Sequence, residues 1–251
     1  MCQRTTAPAR NVARDERGRR ALHVCLDTAH PGDTPTRGKN GHKTVTLLVP
    51  TLNEIDGMKA IMPQVKRDWV DQILILDGGS TDGTVEWARD QGYEVYVQKV
   101  AGIRQAYMEV LPLVRGEVIL TFSPDGNSIP DLIPALVAKM NEGYDMVIAS
   151  RYLGPARSQD DDWLTGFGNW LFTKTVNFLN RGRYTDAMVI YRAYRKQLIY
   201  DLQLDQDRRY RLPERLFQCR ISWEPLLSCR AARRGLRITE IPGDEPSRIG
   251  G

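Results

Sequence analysis

Short apolar runs rich in β-branched residues alternate with segments of helical periodicity through the first 150 residues. Val45–Val49, Gln72–Leu76, Glu94–Val97, Glu117–Phe122 and Asp145–Ala149 read as strands, the first closed by Pro50 and the second by Asp77-Gly78-Gly79-Ser80. Between them, Met58, Ile61, Met62 and Val65 share a helical face after Asp56, and Val85, Trp87 and Ala88 follow a helix start at Thr81–Thr84. Ile103–Leu111 and the segment opened by Pro130, with Leu132, Ile133, Leu136, Val137 and Met140, complete the set. Strands apolar on both faces and separated by helices call for a mostly parallel sheet covered on each side, an α/β fold.

After Arg151 the alternation stops. Residues 154–162 are polar and acid-rich (Asp160-Asp161-Asp162), which predicts a loop. Trp163–Leu179 predicts an amphipathic helix carrying Trp170, Phe172 and Phe178. Thr185–Tyr194 is short and mixed, and 201–213 reads as a charged loop. Trp223–Arg234 predicts a helix, and Leu236–Ile241 a last strand by its alternation. No internal repeat or low-complexity tract is present. The chain stops at Gly250-Gly251 without a closing helix, which reads as a truncation or a free C-terminal end.

Composition narrows the class. At 251 residues, with 41% hydrophobic and 26% charged residues, the chain suits one large α/β domain. No stretch approaches the ~20 apolar residues of a membrane span, and no signal-peptide core opens the chain. These features point to a soluble cytoplasmic protein and leave open attachment at the cytoplasmic face of a membrane. Cys2, Cys25, Cys219 and Cys229 have neither CxxC nor zinc spacing, which also fits a reducing compartment. The net charge of +4 is concentrated in residues 1–43, where nine Lys/Arg face four acids, so the remainder is close to neutral. With almost no aromatics, that tail reads as disordered and basic, a solvated leader rather than a nucleic-acid arm. The folded part is expected over 44–251, its 44–150 half binding nucleotide and its 151–251 half binding acceptor.

In an open α/β sheet, ligands bind beyond the carboxyl ends of the strands. The residues there are Pro50-Thr51-Leu52-Asn53-Glu54, Asp77-Gly78-Gly79-Ser80-Thr81-Asp82-Gly83, Ser123-Pro124-Asp125-Gly126-Asn127 and Ser150-Arg151. Three of these four strand ends carry carboxylates. Such a rim suits a diphosphate held through Mg²⁺ or Mn²⁺, which take oxygen ligands from one or two carboxylates, phosphates and water. Gly78-Gly79 permits a sharp turn and a close ligand approach. Each motif alone is also ordinary turn or helix-capping chemistry; their joint placement on one edge points to a site.

Taken together, Pro50–Glu54, Leu76-Asp-Gly-Gly-Ser-Thr-Asp-Gly-Thr84 and Pro124-Asp-Gly-Asn127 resemble the successive signatures of family 2 glycosyltransferases with the GT-A fold. The polyprenyl-phosphate sugar transferase branch, typified by dolichyl-phosphate mannose synthase, is nearest. The resemblance runs from Val45 to Gly251 and is most specific in its first 110 residues. It implies that Thr51, Asn53, Glu54, Asp77 and Asp82 hold the nucleoside, and that Asp125 binds metal and donor diphosphate, with Asn127 a further metal ligand. Ser123 replaces the first acid of the usual Asp-x-Asp motif. Asp186, within Tyr184–Arg192, matches an acceptor-side aspartate, and Glu224 an acid near the acceptor. Arg151 matches a residue that meets an acceptor phosphate, and Arg248-Ile-Gly-Gly251 the start of a loop closing over the diphosphate. A second arginine expected within the following helix has no match in Trp163–Leu179.

The reading that follows is transfer of a sugar from a nucleoside-diphosphate sugar to a lipid phosphate or saccharide, metal-dependent and inverting. Asp186 is the first candidate for general base and Glu224 the second; with an anionic phosphate acceptor, Asp186 would instead position it. A dinucleotide-binding oxidoreductase would need G-x-G-x-x-G after the first strand, where Pro-Thr-Leu-Asn-Glu stands. A nucleotidyltransferase would need a Gly-rich basic loop at the same place. The alternative from another class is a non-catalytic binding or assembly module of the same fold. A homo-oligomer is left open.

Overall fold

The computed structural model describes residues 42–161, 163–217 and 221–249. Most of the predicted basic tail, with Cys2 and Cys25, therefore lies outside the described residues, as do Asp162, Cys219, Gly250 and Gly251. Cys229 is described and is a free, half-buried thiol.

Among the described residues, seven strands form one sheet: β1 Val45–Thr51, β2 Gln72–Asp77, β3 Glu94–Val97, β4 Val118–Thr121, β5 Met146–Ser150, β6 Arg192–Arg195 and β7 Ile238–Pro242. Their order is β3-β2-β1-β4-β6-β5-β7, and only β6 runs antiparallel to its neighbours. The α-helices among the described residues are α1 Ile55–Ile61, α2 Thr84–Asp90, α3 Ile103–Val110, α4 Ile133–Asn141, α5 Trp163–Asn180, α6 Leu198–Asp201, α7 Arg211–Phe217 and α8 Trp223–Arg233. Leu47, Leu48 and Val49 of β1, Val118–Leu120 of β4 and Met146–Ile148 of β5 are fully buried, as strands covered on both faces must be. The five strands expected before residue 150 are present with ends shifted by at most two residues.

Lys43, just before β1, donates from its backbone to Asn141 Oδ1 at 3.1 Å and from Nζ to the Met140 carbonyl at 2.7 Å. Two expectations need correction. The mixed segment before Tyr194 ends in a central strand, β6. Its first residue, Arg192, is fully buried and spends its guanidinium on the Val189 and Ala187 carbonyls and on Ser228 Oγ. A charged residue that satisfies its donors internally hides a core strand from a hydrophobicity reading. Finally, the charged stretch 201–213 is not all loop, since a 3₁₀ turn at Asp207–Arg209 leads into α7.

The topology sets the site. β1, β2, β4 and β5 are mutually parallel, so their four C-terminal ends share one edge. Because β6 is antiparallel, with Arg192 paired to Thr121, the segment preceding it arrives at that same edge and brings Asp186.

Candidate functional site

The nucleoside side of the rim is built from the turns after β1 and β2, locked to each other. Asn53, in left-handed backbone at φ 54°, accepts from Thr81 N at 2.8 Å, while its own N–H donates to Ser80 Oγ at 2.8 Å. Asp77 accepts from the Gly79 and Ser80 N–H groups at 2.7 and 2.9 Å, an Asx turn that folds the Gly-Gly segment back on the strand end. Gly79 stands at φ 98°, a backbone region costly for any other residue. Asp82 accepts from Ile55 N and Thr84 N at 3.0 Å each and from Thr84 Oγ1 at 2.6 Å. Burial disfavours its charge, but these hydrogen bonds outweigh it and lower its pKa. Pro50, Thr51 and Gly78 complete this side, Gly78 donating its N–H to the Thr51 carbonyl at 2.8 Å.

The next loop of the rim holds Asp125, 8% exposed, just across from α1. A Cβ at Gly57 of α1 would lie 2.6 Å from the Pro124 carbonyl oxygen, so only glycine admits this approach. Asp125 Oδ1 accepts from Asn127 N at 3.0 Å, and Oδ2 lies 3.7 Å from Arg248 Nε. Arg248 and Asn127 Nδ2 both donate to Asp160 Oδ2, at 3.0 and 3.2 Å, and Ile249 N donates to the Asp125 carbonyl at 2.7 Å. The C-terminal strap thereby closes over the Asp125 loop. Glu54 lies close enough to feel Asp125: burial first, then that neighbouring carboxylate, push its pKa up to about 7. Ser123 is held through its N–H to Ser128 Oγ at 3.2 Å.

Among the described residues, no set of three or more His, Cys, Asp or Glu side chains forms a closed metal cage. A Mg²⁺ or Mn²⁺ that shares its ligands with a diphosphate and water needs none. The donor set fits such an ion: Asn127 Oδ1 and Glu54 Oε2 are buried oxygens without a hydrogen-bond partner, Glu54 within electrostatic reach of Asp125 and Asn127 bonded to Asp125 Oδ1 through its N–H. All three are hard oxygen donors.

On the other side of the rim Arg151 organises a buried charge cluster. Its Nε and Nη2 donate to Asp186 Oδ2 and Oδ1 at 2.6 and 3.2 Å, and its Nη1 lies 3.1 Å from Glu245 and 3.7 Å from Asp161. Burial opposes the Arg151 charge, yet its carboxylate partners raise its pKa overall. Asp186 is wholly buried, and its Oδ1 also accepts from Met188 N and Val189 N at 3.2 Å each. Glu240 of β7 clamps the preceding turn, accepting from Thr185 N and Oγ1 at 2.8 Å each and from Asp186 N at 3.1 Å. Glu224 is elsewhere. In the first turn of α8 and 3% exposed, it lies among Tyr107, Tyr194 and the buried Arg192.

The rim therefore gathers Thr51, Asn53, Glu54, Asp77, Ser80, Asp82, Asp125 and Asn127 with the strap residue Arg248, and sets Asp186 beside Arg151. It does not bring Glu224 into that cluster. Glu240, Glu245, Asp160 and Asp161, which hold these residues in place, were not singled out from sequence. Only the acid run at 160–162 and the polar position in the β7 alternation hinted at them. A cleft of about 160 Å³ lined by Arg67, Asp71, Glu94 and Arg115 contains none of the rim residues.

The architecture is that of the GT-A nucleotide-sugar transferases. The structure of glucosyl-3-phosphoglycerate synthase from Mycobacterium tuberculosis with Mn²⁺, UDP and glucosyl-3-phosphoglycerate is similar at a TM-score of 0.53 and 19% identity, over 82% of this chain and 73% of that one. The glycosyl transferase family 2 model matches residues 46–203, and the chain belongs to that family. Glycosyltransferase AglJ of Haloferax volcanii is 28% identical over 199 residues, covering 79% of this chain. The undecaprenyl-phosphate 4-deoxy-4-formamido-L-arabinose transferase of Aeromonas hydrophila is 27% identical over 183 residues, or 68% of this chain. This chain spans 61% and 55% of the lengths of those two relatives. Polyprenol monophosphomannose synthase of Mycolicibacterium smegmatis is 26% identical over 228 residues, 84% of this chain and 80% of that one.

Proposed function

We propose that this chain transfers a sugar from a nucleoside-diphosphate sugar to an anionic phosphate acceptor, inverting the anomeric carbon by direct displacement. The observation that carries the donor half is that Asn127 and Glu54, the residues around Asp125, each keep a buried oxygen unpartnered, with Arg248 3.7 Å from the Asp125 carboxylate. In this reading Asn53, Asp77, Asp82 and the Gly78-Gly79 turn receive the nucleoside. Asp125, Asn127 and Glu54 hold a Mg²⁺ or Mn²⁺, which when bound would neutralise charge developing on the leaving diphosphate. Arg248 adds a guanidinium to the same oxygens, and the strap excludes water from them.

The acceptor half rests on Arg151. Asp186 already accepts from its Nε and Nη2, so it is engaged as an orienting partner rather than free to take a proton. A phosphate acceptor is ionised at neutral pH and needs no base; it needs a fixed cation, which Asp186 and Glu245 together hold in place. The names of the relatives agree, since several are transferases to polyprenyl or undecaprenyl phosphate. Incubation with a panel of nucleotide sugars, Mn²⁺ and polyprenyl phosphate, followed by NMR of the product's anomeric proton, tests the reading. An inverted glycosyl phosphate supports it. Transfer to saccharide hydroxyls alone would overturn the acceptor assignment.

A further inference from the structure

Asp160 belongs to the polar loop after β5, yet its carboxylate lies against the loop after β4. Oδ2 accepts from Asn127 Nδ2 at 3.2 Å and from Arg248 Nε at 3.0 Å, and that same Nε stands 3.7 Å from Asp125 Oδ2. Backbone pairing with the C-terminal strap carries it there. Arg157 N donates to Asp244 Oδ1 at 2.8 Å, Glu245 N to the Arg157 carbonyl at 2.9 Å and Gln159 N to the Glu245 carbonyl at 2.8 Å. Ser158 and Glu245 thereby form a parallel bridge that sets Asp160 at its end. The next residue turns the other way: Asp161 accepts from the Tyr152 hydroxyl and lies 3.7 Å from Arg151 Nη1. Two consecutive acids divide between the donor and acceptor sides of the rim.

Asn127 can meet Asp160 in one orientation. An ionised carboxylate accepts hydrogen bonds and donates none, whereas a primary amide has an NH₂ at one end and an oxygen at the other. Asp160 therefore takes Nδ2, and Asn127 Oδ1 is left buried without a hydrogen-bond partner. With the amide reversed, two oxygens would oppose each other, and an NH₂ would stand where a cation needs an oxygen.

We propose that Asp160 is a positioning residue of the donor-metal site, holding the Asn127 amide so that its oxygen is the end offered to the ion. This deepens the proposed transfer and rests on its metal–diphosphate assignment. Ser123 stands where an acid is expected, which leaves Asp125 as the acid of the β4 loop. With one carboxylate there instead of two, the neutral ligand Asn127 carries a larger share of the coordination, and its orientation counts for more. Outer partners that orient metal ligands are typically worth about 10–100-fold in metal affinity. The sequence pattern could not show this, because Asp160 and Asn127 are 33 positions apart and meet through the strap.

The test measures the Mn²⁺ affinity of the full chain in saturating UDP or GDP, from the electron paramagnetic resonance of the free ion. Asp160→Ala is expected to weaken it at least about tenfold. Asp160→Asn, whose amide oxygen can accept the same two hydrogen bonds, should stay within about threefold of wild type. Because Asp160 acts through Asn127, Asp160→Ala should cost nothing further in an Asn127→Ala background. Urea midpoints confirm that each variant is folded under the assay conditions. Unchanged Mn²⁺ affinity in Asp160→Ala overturns the proposal. So do additive losses in the double variant, or equal losses in the alanine and asparagine variants, which would make charge rather than amide orientation the effect. Wild type that binds no Mn²⁺ with either nucleotide would refute the donor reading itself, and the role of Asp160 with it.

Discussion

Arg151 grips Asp186 through two hydrogen bonds, Nε to Oδ2 at 2.6 Å and Nη2 to Oδ1 at 3.2 Å, with the aspartate wholly buried. Removing one member of a buried ion pair leaves the other uncompensated, which costs about 3–5 kcal/mol. Asp186→Ala should therefore lower the urea midpoint strongly, and Arg151→Met added to it should restore part of the loss. Additive losses in the double-mutant cycle would mean that the two residues do not act as a pair.

Glu54 makes stability depend on pH. Its carboxyl has a folded pKa near 7, raised by burial and by Asp125, above its ordinary value of 4.5. Between those values the folded state holds a proton that the unfolded chain has released, so stability falls as pH rises from about 4.5 to about 7 and levels off above. Glu54→Gln should flatten that slope, as read from urea melts across the range. An unchanged slope would show that another group is responsible.

Gly57 sets the distance between α1 and the Asp125 loop. In Gly57→Ala the new methyl would stand 2.6 Å from the Pro124 carbonyl oxygen, with Asp125 Cα 3.1 Å away, forcing one element to move. Overpacking of this kind costs about 1–3 kcal/mol, and displacement of Asp125 should weaken nucleoside-diphosphate binding in the same variant. Gly79→Ala provides a contrast, because its penalty comes from the backbone at φ 98° and no atom crowds the added methyl.

Glu224 is expected to matter for folding and not for the donor. It lies within electrostatic reach of the fully buried Arg192, whose hydrogen-bond partners are the Val189 and Ala187 carbonyls and the Ser228 hydroxyl. Glu224→Ala should lower the urea midpoint, because it removes one of the two carboxylates, with Asp186, whose charge offsets that of the buried Arg192. The Kd for nucleoside diphosphate, measured well below the melting temperature, should stay at the wild-type value. A large rise in that Kd would place Glu224 in the donor site after all.

The rim was legible in the sequence because the buried strands β1, β2 and β4 give way abruptly to Pro, Gly, Asp or Asn, so strand ends and candidate ligands coincide. The first five strands and the long aromatic helix were legible for the same reason: their apolar periods are uninterrupted. β6 was not, since Arg192 and Arg195 bracket its four residues and the burial of Arg192 depends on how the turn just before it folds its Ala187 and Val189 carbonyls back and on the remote Ser228 hydroxyl. For Asp77 and Asp82 the pattern offered turn and capping roles beside ligand roles, and both carboxylates do serve the turns that present them. Glu240 and Glu245 belong to the last strand and strap, and their partners lie more than 50 residues away in sequence. Such contacts follow from topology and leave no local signature.

The central claim is that Asp125 anchors a metal-bound diphosphate on the common strand edge. Isothermal titration of wild type and Asp125→Ala with UDP and GDP, each with and without Mn²⁺, tests it most directly. The expected result is wild-type binding that requires Mn²⁺ and falls at least about tenfold in the variant, a loss of about 1.4 kcal/mol or more. Equal affinity of the two proteins, or wild-type binding indifferent to Mn²⁺, would contradict it.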